Sequence, residues 1–197
     1  MQSAVRERFG GATVTDAGEA GHARFRRPYW RSIQISGRRV KKIALFADVQ
    51  NLYYTVRQAH GCHFNYSALW ADVSRRGTIV EAYAYAIERG DPRQQQFQQI
   101  LRKLGFTVKL KPYIQRSDGS AKGDWDVGIT IDVLDAAARV DEVVLASGDG
   151  DFDLLLERVR AGGAEATAYG VPGLTAQSLI RAATRYVPVE GDLLLRG

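Results

Sequence analysis

From Lys41 onward the sequence alternates short, almost uninterrupted apolar runs with stretches whose apolar residues recur at helical intervals, and no other feature restricts the fold as tightly. Runs at 43–47, 78–87, 106–114, 142–146 and 165–169 read as strands, several of them apolar throughout, as strands covered on both faces are. Segments 51–60, 65–76, 91–103, 124–139 and 152–161 read as the helices between them. Asp91 followed by Pro92 supplies a cap and a first-turn proline, and Gly105 closes the same segment. A last helix over 175–184 and a short edge strand over 186–189 complete the pattern. Alternation with short connections predicts an α/β domain whose mainly parallel sheet is joined by right-handed crossovers.

Charge divides the chain. Its 197 residues suffice for one domain and an appendage, and no run approaches the roughly 20 apolar residues of a membrane-spanning helix. The net charge is +5, yet residues 1–42 carry ten Lys and Arg against three acids, which leaves the remainder mildly acidic. Residues 1–40, with clustered arginines, several glycines and no sustained period, read as a disordered basic leader that would attract a polyanion such as RNA. An Arg-rich organellar targeting segment is the alternative, weakened by Glu7, Asp16 and Glu19. The domain is expected over 41–190, with a tail over 191–197. The single cysteine, Cys62, excludes intrachain disulfides and points to a reducing compartment, taken as the cytoplasm. Cys62-His63 with nearby His60 lacks the four ligands of a structural zinc site.

In open parallel sheets, ligands bind beyond the carboxyl ends of the strands. The first run ends Phe46-Ala47-Asp48-Val49-Gln50-Asn51, and the fourth ends Ser147-Gly148-Asp149-Gly150-Asp151-Phe152-Asp153. Between them, Lys122-Gly123-Asp124-Trp125-Asp126-Val127 opens a helix. Carboxylates gathered at one sheet edge repel one another unless a cation neutralises them. A hard divalent ion, Mg²⁺ or Mn²⁺, does so while retaining waters that phosphodiester hydrolysis can use. Asp149, Asp151 and Asp153 would also serve as caps of the helix that follows. Asp48 and Asn51 at a second strand tip favour the metal site.

Phe46-x-Asp48-x-x-Asn51, then Lys122-Gly123-x-x-Asp126-Val127 with Asp132, then Ser147-Gly148-Asp149-Gly150-Asp151-Phe152 occur in that order and together resemble the NYN domain family, the PIN-like ribonucleases. The resemblance covers about Lys42 to Val189. It implies a PIN-like, Rossmannoid three-layer α/β/α sandwich and a metal-dependent endoribonuclease using Mg²⁺ or Mn²⁺. By position it makes Asp48, Asp126 and Asp149 the principal metal carboxylates, Asp151 a further ligand or a base through water, and Asn51 a polar positioning group. Asp132 and Asp153 are left open, Asp132 between facing the metal and supporting a hydrogen bond. Trp125 stands where a smaller aliphatic is commoner, and Gln50 where an acid is often found. A homodimer is compatible with the resemblance.

Lys122 and Ser147 are candidate donors to a phosphate, with pairing of Lys122 to Asp124 or Asp126 as the bland reading. Tyr53, Tyr54 and Trp125 are candidates for stacking on unpaired bases, or else partly core. Lys109 and Lys111 share one strand face and read as a lysine-blunted edge, with a phosphate track including Arg116 as the sharper alternative. No Walker-type loop and no serine-histidine-acid arrangement is present. An aspartyl phosphatase would want an acid where Gln50 stands. A catalytically silent RNA-binding or protein-interaction module on the same fold is the competing reading; it leaves the exposed acids without a purpose.

Overall fold

The computed structural model describes residues 39–88, 90–112, 114–115, 121–122 and 124–195, without the side chains of 114–115 and 121–122. The leader expected over 1–40 lies outside the described residues except for Arg39 and Val40. In chain order the elements are β1 (Lys42–Asp48), α1 (Val49–His60), β2 (His63–Phe64), α2 (Tyr66–Ser74), β3 (Thr78–Glu88), α3 (Pro92–Leu104), β4 (Thr107–Pro112), β5 (Ile114–Gln115) and β6 (Ala121–Lys122). They continue with α4 (Asp126–Ala137), β7 (Glu142–Ala146), a 3₁₀ turn (Gly150–Phe152), α5 (Asp153–Ala161), β8 (Glu165–Gly170), α6 (Gln177–Ala182), β9 (Arg185–Pro188), a second 3₁₀ turn (Gly191–Leu193) and β10 (Leu194–Leu195).

Six strands form one sheet in the order β4-β3-β1-β7-β8-β9, every neighbouring pair parallel. Along β1 the side chains alternate between two cores. Ile43, Leu45 and Ala47 pack with Leu52 and Val56 of α1, Leu69 and Val73 of α2 and Leu101 of α3. Ala44 and Phe46 pack with Ile129 and Val133 of α4, Leu156 of α5 and Leu179 of α6. The fold is therefore the expected α/β/α sandwich, and its central strands β1 and β7 are buried along almost their whole length because both faces are covered. Each fully buried Leu, Ile or Phe contributes about 1.5–3 kcal/mol of hydrophobic stabilisation. From β1 the chain winds outward through β3 to β4, then crosses back to β7 and winds the other way, so winding reverses between β1 and β7.

Several expected elements differ at their ends. The strand read over 106–114 is split: Pro112, which has no N–H to donate to a ladder, ends β4, and β5 pairs antiparallel with β6. The helix read over 124–139 starts two residues later because Trp125 occupies its N-cap position. The two-residue strands β2 and β10 pair antiparallel, and Leu193 and Leu194 join the first core. Among the described residues no helix is long and apolar enough to cross a membrane.

The two ends of the sheet treat charge differently. At the amino end Glu142, 1% exposed, is met by Lys41 at 3.3 Å and Arg76 at 3.4 Å, and its Oε1 accepts from Thr167 Oγ1 at 2.7 Å. At the carboxyl end Asp126, Asp149 and Asp151 form no such ion pair among the described residues.

Candidate metal centre

The reversal between β1 and β7 opens a crevice at the carboxyl edge of the sheet, where doubly wound folds hold ligands. Asp48 closes β1 and caps α1, its carboxylate accepting from the Asn51 backbone N–H at 3.1 Å and from Ser147 Oγ at 3.2 Å. It is 8% exposed; burial pushes its pKa up against the hydrogen bonds that lower it. Asn51, three residues on, accepts from the Gly148 N–H through Oδ1 at 2.9 Å. Two residues near the start of α1 thus grip the turn after β7. Gly148 fits closely there: a Cβ would lie 3.1 Å from the Leu174 carbonyl oxygen, so that loop would have to give by a few tenths of an ångström. Ser147 is fully buried, and its hydroxyl also accepts from the Asp149 N–H at 3.3 Å, so the structure commits it to shaping the turn.

Asp149 in turn caps the 3₁₀ turn by accepting from the Asp151 N–H at 3.1 Å, and fully buried Phe152 anchors that turn in the second core. The capping role foreseen for Asp149 is real, and it coexists with a cluster. One carboxylate oxygen each from Asp126, Asp149 and Asp151 lie within 4.8 Å of one another. Among the described residues no Lys, Arg or His forms an ion pair with any of the three. The cost shows at Asp126, whose pKa rises to about 6, first through burial and then through repulsion from Asp124, Asp149, Asp48 and Asp151. Asp48 lies outside this trio, and the charge of Asp149 adds to the upward push on its pKa. An all-oxygen set of close, mutually repelling carboxylates fits a hard divalent cation. Beside Asp149 a cleft of about 440 Å³ is lined by Asn51, Gly148, Gly150 and the loop Gly173–Ala176. That loop follows β8, so the strand-tip rule applied to one more strand would have found it.

The remaining candidates are placed as follows. Asp132 lies outside the cluster: its Oδ2 accepts from Tyr85 Oη at 2.6 Å and pairs with Lys109 Nζ at 2.6 Å. Of the two readings left open, the supporting hydrogen bond is the observed one. Lys109 also sits 4.8 Å above the Tyr83 ring, while Lys111 donates to the Asp124 carbonyl at 2.7 Å and lies 4.4 Å over Trp125. The lysines of edge strand β4 therefore fasten α4 instead of projecting into solvent. Trp125 donates through Nε1 to the Ala86 carbonyl at 2.9 Å, and its ring covers Gly128, where a Cβ would come within 2.7 Å of it. Trp125 is thereby half-buried against the protein at the N-terminus of α4, next to Asp126. Asp153 begins α5 and bonds the neighbouring Leu154 N–H. Tyr53 lies exposed on α1. Lys122 belongs to β6, its side chain outside the described residues.

Two expected results arise here. Asp132→Ala leaves the Tyr85 hydroxyl and the Lys109 ammonium without their shared acceptor and should cost about 1–3 kcal/mol in urea unfolding. A second concerns pH. Because the folded pKa of Asp126 lies above its ordinary value, its contribution to stability in EDTA is present below about pH 4 and lost as pH rises through about 6. Saturating Mn²⁺ should raise the melting temperature at pH 7.5 and do so much less at pH 5, where protons compete for the same oxygens. Differential scanning fluorimetry at the two pH values reads both effects.

The NYN domain profile matches residues 42–190. The chain is 32% identical over 160 residues to the low amplitude and bright protein LabA of Synechococcus elongatus, spanning 77% of this chain and 86% of that one. It is similar, with a TM-score of 0.75 and 53% identity, to the crystal structure of a protein of unknown function from Vibrio parahaemolyticus, covering 79% of this chain and 97% of that one.

Proposed function

The chain belongs to the NYN domain family, and from that membership we propose that it is an endoribonuclease dependent on a divalent metal, cutting RNA at the carboxyl edge between β1 and β7. The observation that carries this reading is the convergence of Asp126, Asp149 and Asp151, with no ion pair to any of them among the described residues, at the place where the fold opens for a ligand. A purely structural cluster would be expected to resemble Glu142 at the opposite end, which is neutralised by Lys41 and Arg76.

In this reading Asp126, Asp149 and Asp151 hold Mg²⁺ or Mn²⁺, with Asp48 as the fourth acid. A bound divalent ion supplies positive charge to the scissile phosphate and lowers the pKa of water. The protein's own part is to fix positions and handle the proton. Asn51 and Ser147 hold the turn that carries Asp149, and Trp125, Lys111 and the Lys109–Asp132 pair hold the start of α4 that carries Asp126. Asp151, exposed at the rim, serves in this reading as a further ligand or as the base that takes the proton of the attacking water. The cleft beside Asp149 receives the nucleotide next to the scissile bond. RNA in the cytoplasm is the proposed substrate.

The test is incubation of the purified chain with labelled single-stranded and hairpin RNAs in Mg²⁺, Mn²⁺ or EDTA, beside Asp149→Asn. Cleavage that needs metal and disappears in the variant supports the assignment. A folded chain that retains RNA in a salt-dependent way and never cuts it in either metal overturns the nuclease in favour of a binding module.

A further inference from the structure

We propose that Tyr53 and Tyr54 of α1 and His63 of β2 form a stacking ledge for unpaired RNA bases, leading away from the acid cluster. The ledge rests on the reading of RNA as substrate and adds where the strand goes and what is recognised on it. Its origin is the pattern of α1. Leu52 and Val56 are fully buried, which turns Tyr53, Tyr54 and Arg57 outward. Tyr53 is 45% exposed and Tyr54 50%, whereas among the described residues the other tyrosines in ring contacts are buried or half-buried. The two rings meet edge to face with centroids 5.3 Å apart. His63, exposed on the neighbouring strand, sits 6.4 Å from Tyr53 with its ring 31° from parallel. Three aromatic side chains from two elements thus make one continuous outward surface.

The ledge is continuous with the proposed active site. Asn51 lines the cleft next to Asp149, and Tyr54 follows it by one turn on the same side of α1, a rise of about 4.5 Å. Arg57 stands one turn beyond both tyrosines and supplies a cation for the phosphate between stacked bases. The order along the surface is therefore Asp149, Asn51, Tyr54, then Tyr53 with His63. Flat aromatic faces accept any base, and none of these side chains reads a base edge by a fixed hydrogen-bond pattern, so the ledge selects single-stranded RNA without selecting its sequence. Paired bases in a duplex have their faces covered and cannot use it.

The test is fluorescence anisotropy with short labelled oligoribonucleotides in an Asp149→Asn background, where RNA is not consumed. Tyr53→Ala is expected to weaken binding of single-stranded RNA about 5- to 50-fold and His63→Ala by a smaller factor, equally for oligo-U, oligo-A and mixed sequence, with Tyr53→Phe restoring the affinity. Duplex RNA should lose less than about twofold on the same substitution. Unchanged affinity of Tyr53→Ala, failure of Phe to restore it, or an equal loss with duplex RNA overturns the ledge. With Asp149 intact, a metal-dependent nuclease whose KM ignores Tyr53→Ala refutes the ledge and leaves the nuclease standing. A chain that binds RNA through Tyr53 and never cuts it does the reverse.

Discussion

Asp149→Asn is expected to reduce RNA cleavage at least about a thousandfold, corresponding to about 4 kcal/mol of lost transition-state stabilisation, while the melting temperature in EDTA stays equal or rises. Asparagine has the shape of aspartate and retains an Oδ1 that can accept the Asp151 N–H, so the turn after β7 is preserved. What disappears is one of three charges that no cation balances within the described residues. Asp126 and Asp151 no longer feel its repulsion, which relieves part of the upward pressure on the Asp126 pKa. Mn²⁺ should correspondingly stop raising the melting temperature of the variant. A cleavage time course and paired thermal melts in EDTA and Mn²⁺ check both halves. A lower melting temperature with undiminished cleavage would reduce Asp149 to a helix cap.

Phe152→Ala should destabilise the fold by about 3–5 kcal/mol, as truncation of a buried aromatic ring does. Phe152 is fully buried and separates Asp151 from Asp153 in the chain. It is the apolar pin that fixes the acidic turn to the second core. The loss should therefore be twofold in kind: lower global stability, read by urea unfolding, and weaker Mn²⁺ binding, read by calorimetry well below the melting temperature. Leu156→Ala supplies the control. It is also fully buried in α5 and should cost about 2–5 kcal/mol, yet it lies a turn farther along the helix and should leave Mn²⁺ affinity nearly intact. Equal effects of the two variants on metal binding would show that Phe152 has no special role in holding the turn.

Much of this was legible in the residues themselves. β1 and β7 are apolar along their length because each is central and covered twice, and this strong local signal put Asp48 and Asp149 at strand tips. Helix ends were legible where a cap was local, as at Asp91 and Gly105. The fate of Asp132 was not legible, since helical spacing says only that it lies near Ile129 and Val133 in α4, and its partners Tyr85 and Lys109 come from β3 and β4. Trp125 was hard for the same reason: its position is decided by the Ala86 carbonyl and by the space over Gly128. Two-residue strands such as β2 and β10 are too short to carry a period, so the neighbour that His63 provides to Tyr53 could only come from the fold.

The grip of α1 on the turn after β7 has a consequence for how the chain matures. Asp48 meets Ser147 across 99 positions and Asn51 meets Gly148 across 97, so the two halves of the crevice are contributed by segments synthesised far apart in time. Closing so long a loop is paid in chain entropy before any contact repays it, and parallel pairing of this range belongs to the slow part of folding. Until β7 has docked beside β1, Asp48 and Asn51 lack the partners that Ser147 and Gly148 supply, and whatever chemistry the crevice performs is withheld from every nascent, truncated or half-unfolded copy.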